Sequence, residues 1–273
     1  MNTKKATFGR LILWFVVLLT LILFLIPIYY MISSSFKSQA QMMDVQQLFV
    51  FTPRLANYIN IFSKHNISDA MKNSIIISLS ATGLACILGL PAAYAIARHS
   101  MYKLSSVILL VRIVPAVTFL VPWYMILGRI GLQGTITALI LANLLVLLPL
   151  MIWIVSPYFA SIPKELEEAA FIDGCSEAES FVRIMMPLSV PGVITAAILG
   201  FIQAWNNYIF AYVLGGSNSR TLPVMLKLFI GYQAVDYATL MAAAVVVAMP
   251  VVLISIALQK YVVSGLTAGA IKG

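Results

Sequence analysis

Six of the nine carboxylates in this chain, Glu165, Glu167, Glu168, Asp173, Glu177 and Glu179, fall within fifteen residues, between long apolar runs with almost no charge. The chemistry they offer is recognition, a wet acidic surface on which another protein can dock. A second group, Gln203, Trp205, Asn206, Asn207 and Tyr208, is the densest uncharged polar cluster inside an apolar run. Sugars need amide hydrogen bonds around their hydroxyls and aromatic faces against their apolar sides, and Gln203 shares a helix face with Asn206 or Asn207 by i+3 or i+4 spacing. The same amides can instead join helices, and Trp205 and Tyr208, like Trp123 and Tyr124, can belong to an interfacial aromatic belt. Arg112 is the one charge placed within an apolar run. It fits a pathway or gate residue, or else a structural tie to helix carbonyls or a snorkelling cation.

The elements that position these residues follow from composition. The chain has 273 residues, 62% apolar and 10% charged, against about 25% charged in soluble domains, so its bulk solvent is lipid. Crossing the hydrocarbon takes about 20 apolar residues. Six stretches qualify, near 11–32, 73–97, 104–127, 135–158, 188–212 and 238–259, which makes an all-α polytopic membrane protein. The first follows Lys4, Lys5 and Arg10, exceeds a signal-peptide core and lacks a small-residue cleavage site, so it reads as a retained anchor. The +8 charge is scattered over loops, which suits anionic headgroups and gives no nucleic-acid stripe. With the N-terminus inside, nine basic residues lie inside and seven outside; the density in 1–10 and 98–103 favours N-in and C-in.

Between the crossings lie a part-helical outer segment at 33–72, an inner turn at 97–103, an outer turn at 128–134, a second outer segment at 214–237 and an inner tail at 261–273. Gly215-Gly216-Ser217-Asn218-Ser219 ends the fifth helix, and Leu222 to Tyr232 can form a short outer one. Nothing divides the chain, so 1–273 reads as one domain. Pro115 and Pro122 are expected to kink the third crossing.

The acidic segment 161–187 has its own start and stop signals. Ser161 is expected to cap a helix opening at Ile162-Pro163, with Glu165, Glu167 and Glu168 near its positive end. Leu166, Ala169, Ala170 and Asp173 share one face as a narrow contact stripe. Gly174 supplies a left-handed residue to end the helix, and Ser176-Glu177-Ala178-Glu179 is a capping box for a second helix. Pro187 is expected to separate that helix from the fifth crossing.

The exclusions are chemical. No catalytic residue set emerges. Cys86 and Cys175 are too isolated for a metal motif and not expected to pair. There is no Asp or Glu within the six crossings, whereas ion-coupled carriers commonly use such groups. No GxxxxGK[ST] loop exists to cradle ATP phosphates, so energy must come from a partner. A stand-alone secondary carrier remains the less favoured rival.

Glu168-Ala169-Ala170, three residues, Gly174, nine residues, then Ile184-x-Met186-Pro187 resembles the EAA signature of permease subunits of ABC importers, with Met186 where the family has leucine. Ser34-Ser35-Phe36-Lys37, Asn73-Ser74, Pro91-Ala92-Ala93-Tyr94-Ala95, Trp205-Asn206-Asn207 and Gly265 through Gly273 resemble the carbohydrate-uptake branch, the tail being similar to the maltose-type second permease. The resemblance implies the type I importer permease fold in a bacterial inner membrane. It implies a second permease subunit, two ATPase subunits carrying Mg-ATP, an extracytoplasmic sugar-binding protein and a sugar substrate. It also implies ATPase coupling through Glu165, Glu168, Ala169, Ala170, Gly174, Ile184 and Pro187, with the tail reaching between the ATPases. Gln203, Trp205, Asn206, Asn207 and Arg112 are the pathway candidates. A permease for a non-sugar solute is the alternative within the same family.

Overall fold

A computed structural model describes residues 2–64, 66–230 and 235–268. The described residues form helices α1 (Asn2–Ser35), α2 (Gln39–Met43), α3 (Ala56–Lys64), α4 (Ile67–Arg98), α5 (Tyr102–Ile113), α6 (Leu120–Arg129), α7 (Ile136–Ser161), α8 (Lys164–Ile172), α9 (Glu177–Ser180), α10 (Met186–Leu188), α11 (Val190–Trp205), α12 (Tyr208–Leu214), α13 (Leu222–Met225) and α14 (Tyr237–Ala268), and no strand. Arg10–Ser35, Ile67–Arg98, Ile136–Ser161 and Tyr237–Lys260 are single helices long and apolar enough to span, and two bent pairs raise the number to six.

Those two pairs differ from the sequence expectation. The third crossing is broken, not kinked: α5 stops at Ile113, and the chain resumes at Ala116 at an angle of 89°. Val114 is extended, with φ −68° and ψ 124°, as steric conflict with the Pro115 ring demands. Pro122 lies in the first turn of α6, where its missing N–H costs no helical bond. The fifth crossing is interrupted too. It begins at Val190 after a 79° bend from the 177–188 helix, and breaks again at Asn206-Asn207 before α12.

Two compact units emerge, residues 1–67 with 226–249, and residues 68–225 with 250–273. In the first, α1 turns apolar side chains outward almost all round, as a lipid-facing anchor should. Its outer end is tied by Asn57, whose Nδ2 donates to the carbonyls of Ser35 and Lys37, each at 2.8 Å. Lys37 is buried, donates to the Leu48 carbonyl at 2.9 Å and lies over the Phe51 ring. Burial holds its ammonium below the ordinary lysine range.

The second unit carries the polar sites. Its main core joins α4, α7 and α11 through Ala85, Ala93, Leu147, Met151, Val155, Phe159, Ala196 and Ala204. Small residues let these helices approach closely, which replaces the missing hydrophobic drive between helices in lipid. At Gly192 a Cβ would run into the Tyr158 ring. The outer loops close on each other: Gly134 N donates to Leu214 O at 3.0 Å, and Ser219 Oγ to Gly134 O at 2.8 Å. Asn73 Nδ2 donates to the carbonyls of Asn218 and Arg220, each at 3.0 Å, and Ser74 Oγ accepts Leu222 N at 2.7 Å. The expected outer helix from Leu222 runs as α13 and a 3-10 turn to Phe229; 231–234 lie outside the described residues.

Candidate functional site: an inner coupling segment and a broken-helix cavity

The inner segment begins later than expected. Ser161 does not cap it, because α7 runs on through Ser161, whose hydroxyl donates back to Tyr158 O at 2.7 Å. Pro163 occupies the cap position without a side-chain acceptor, and α8 starts at Lys164. The end of α8 follows the sequence reading. Gly174 has φ +89°, Cys175 N donates to Ala170 O at 2.9 Å and Gly174 N to Phe171 O at 3.1 Å, the two bonds of a Schellman stop. The capping box is present as well, with Glu179 N to Ser176 Oγ at 3.3 Å and Ser176 N to Glu179 Oε2 at 3.0 Å. The Ser176 backbone N–H first, then its hydroxyl and Arg183, hold the Glu179 carboxyl below its usual 4.5. Beyond α9, Phe181–Met185 is a π-helical turn. Pro187 sits inside α10 instead of ending the helix, and the bend falls at Ser189. The wider turn just before the proline eases the ring's conflict with the preceding carbonyls.

The expected contact stripe divides between two sides. Ala170 and Glu167 are buried, while Glu165, Leu166, Glu168, Ala169 and Asp173 are exposed. Glu167 accepts a hydrogen bond from the Tyr94 hydroxyl, and its other oxygen lies 2.6 Å from Arg98 Nε, with both charged side chains under 10% exposed. Arg98 also donates to Ile162 O at 3.1 Å and to Met185 Sδ at 3.2 Å. Tyr94 packs against Phe159 and Phe181 with ring centroids 5.8 and 5.1 Å apart. His99 Nε2 lies 3.0 Å from Glu177 Oε1. The inner end of α4 therefore grips α8, α9 and the π turn together. Glu168 borders a cavity of about 270 Å³ beside Tyr94, Arg98, His99, Lys164 and Phe171. Ile184 is half-buried in the π turn.

The pathway candidates separate into two sets. Arg112 and Gln203, 91 residues apart, line one cavity of about 230 Å³ with Pro115, Phe119 and Pro149. The Arg112 guanidinium carbon lies over the Trp153 ring, 4.4 Å from its centroid. Trp205, by contrast, is buried and stacked on Phe201 at 5.7 Å. Asn207 caps α12 through Phe210 N at 3.4 Å and donates to Asn143 Oδ1 at 2.9 Å. Asn206 ends α11 and is exposed. Both cysteines are free.

Residues 72–268 match the family model described as binding-protein-dependent transport system inner membrane component. The chain belongs to that family. It is 37% identical, over 91% of this chain and 89% of the other, to the sulfoquinovosyl glycerol transport system permease protein of Agrobacterium fabrum. Identity is 36%, over 91% of this chain and 93% of the other, to the trehalose transport system permease protein of Mycobacterium tuberculosis. The fold matches that of a chain from a bacterial ABC transporter that imports the acidic polysaccharide alginate, with TM-score 0.78 at 21% identity over 96% of this chain and 98% of that one. The protein is thus a multi-pass inner-membrane transport component.

In this permease the sequence reading overlooked Glu167 as a buried partner and Arg98 as its counter-ion. Glu167 stands beside Glu168 in the motif and looks equivalent to it by composition. Only helical phase against α4 tells them apart. Tyr94 stood within a family-like run, yet no local spacing could pair it with a carboxylate 73 residues away.

Proposed function

We propose that this chain is one of two permease subunits of an ATP-driven sugar importer, forming half of the translocation path. The observation that carries the reading is the division of the EAA helix into two sides. Glu167 and Ala170 fasten it to the permease, while Glu165, Glu168 and Ala169 stay exposed for a partner. A helix joined to α4 through a buried ion pair and a tyrosine, with the π turn held to the same arginine by the Met185 sulfur, moves with the second crossing as one body. Its partners are two ATPase subunits that carry Mg-ATP, and their closure moves residues 162–186. Gly174, the π turn with Ile184, and Pro187 after it hold the shape of that handle, and the tail from Gly265, of which 269–273 lie outside the described residues, reaches between the ATPases. An extracytoplasmic binding protein delivers sugar to the outer segments 33–72 and 214–237, and Gln203, Asn206 and Arg112 meet it along the path. The names of the relatives, transporters of sulfoquinovosyl glycerol and of trehalose, support a sugar as the solute.

The test is reconstitution of the chain with its partner permease, ATPases and binding protein in proteoliposomes. Sugar-stimulated ATP hydrolysis and ATP-dependent sugar uptake are expected. Uptake by this chain without an ATPase would return it to the secondary carriers. Stimulation by non-sugar solutes alone would keep the importer and discard the sugar.

A further inference from the structure

The guanidinium of Arg112 has no carboxylate partner among the described residues; its contact is the face of Trp153. A cation at such a position is costly unless it faces a wet cavity or an anion, and Arg112 does line a cavity. The backbone beside it is interrupted at Val114-Pro115. Non-helical backbone within a membrane span is tolerated where protein or water satisfies it, and broken helices mark solute sites in transporters. From Tyr102 to Arg112 the helix rises about 15 Å, half of the roughly 30 Å hydrocarbon thickness, which takes the charge away from inner headgroups.

A guanidinium lying over an indole still carries five N–H donors in a fixed fork, and that fork matches two oxygens of a carboxylate, sulfonate or phosphate. Gln203 brings an amide, the group that pairs with sugar hydroxyls, to the same cavity. A volume of about 230 Å³ lies below the roughly 300 Å³ where pockets for drug-sized ligands begin, so it admits one sugar unit at a time. We propose that Arg112, braced on Trp153 and sharing its cavity with Gln203, reads a negatively charged group on the transported saccharide. The inference rests on the sugar-importer reading and narrows its substrate to anionic sugars.

The experiment uses the assembled importer in proteoliposomes with its binding protein. ATP hydrolysis is measured against glucose-containing disaccharides and their 6-carboxylate, 6-sulfonate and 6-phosphate counterparts. At least one anionic member is expected to half-saturate at a concentration tenfold or more below its neutral counterpart. Arg112→Gln should erase that preference, and Arg112→Lys, which keeps the charge without the fork, should recover part of it. A wild-type preference for neutral sugars overturns the inference without any variant, as does an unchanged preference in an assembled Arg112→Gln complex. Liposomes with and without anionic lipid separate the two sources of negative charge. An Arg112→Gln effect that appears only with anionic lipid assigns the charge to headgroups and overturns it. Response to non-sugar solutes alone removes the sugar reading and this inference together, whereas a neutral-sugar preference removes this inference alone.

Discussion

The inner coupling segment and the cavity beside the broken third crossing treat charge in opposite ways. At the inner end the Glu167 carboxylate is closed in, with Tyr94 on one oxygen and Arg98 on the other. In the cavity Arg112 rests on an aromatic face and has no carboxylate partner among the described residues. A buried ion pair braced by neighbouring hydrogen bonds fixes one geometry and becomes costly when half of it is removed. An unmatched cation in a cavity contributes little to the fold and is free to meet a visitor. The lesson is that the same residue type, arginine near a helix end, is a fastener where its partner is present and a reader where it is absent.

The sharpest way to break this comparison is Glu167→Ala. Leaving Arg98 buried without its partner is expected to destabilise the permease by about 3–5 kcal/mol, read as a fall in thermal unfolding of the purified complex. Glu167→Gln, which keeps an acceptor for Tyr94, should cost less. If Glu167→Ala and Arg112→Ala lower stability equally, the distinction between fastener and reader is wrong.

The neighbouring asparagines sharpen it next. Asn207→Leu removes a helix cap and orphans Asn143 Oδ1, an expected loss of about 1–3 kcal/mol. Asn206→Leu should leave stability within about 0.5 kcal/mol yet weaken uptake with subunit assembly intact. Unaltered uptake kinetics would take Asn206 out of the pathway.

Gly174→Val tests whether the shape of the handle matters apart from its anchoring. A Cβ there meets nothing within 4 Å, so the expected cost of about 1–2 kcal/mol is that of a left-handed backbone. ATP hydrolysis should uncouple from uptake while the complex still assembles; normal uptake would count against the corner. The smallest loss among the variants that remove a structural feature is expected from Ser176→Ala, about 1 kcal/mol for a lost cap. Glu179 titrates below its usual 4.5 in the folded chain. Its contribution is therefore present above the unfolded value and lost as pH falls through the folded one. The difference between wild type and Ser176→Ala should hold at neutral pH and shrink only below about 4.5, as unfolding at a series of pH values can check.

Much of the local structure was legible because its causes are local. The stop at Gly174 and the box at Ser176 each need a handful of consecutive residues, and the sequence shows them all. Ser161 misled because the apolar helix before it had enough propensity and packing to continue through it. Pro115 signalled a kink, but whether a proline bends a helix or ends it depends on what accepts the freed backbone groups, and that lies on other helices.

The sequence by itself determined the apolar spans, the acidic island between them and the spacing that marks the family, since each rests on composition or neighbours along one chain. Tertiary structure decided which carboxylate of Glu167 and Glu168 is the fastener, that Asn207 is tied to Asn143, and that Arg112 and Gln203 share a cavity. Those pairings join residues 64 to 91 positions apart. Such contacts depend on helical phase and close packing between α4, α5, α7, α8 and α11, which no single stretch of chain encodes.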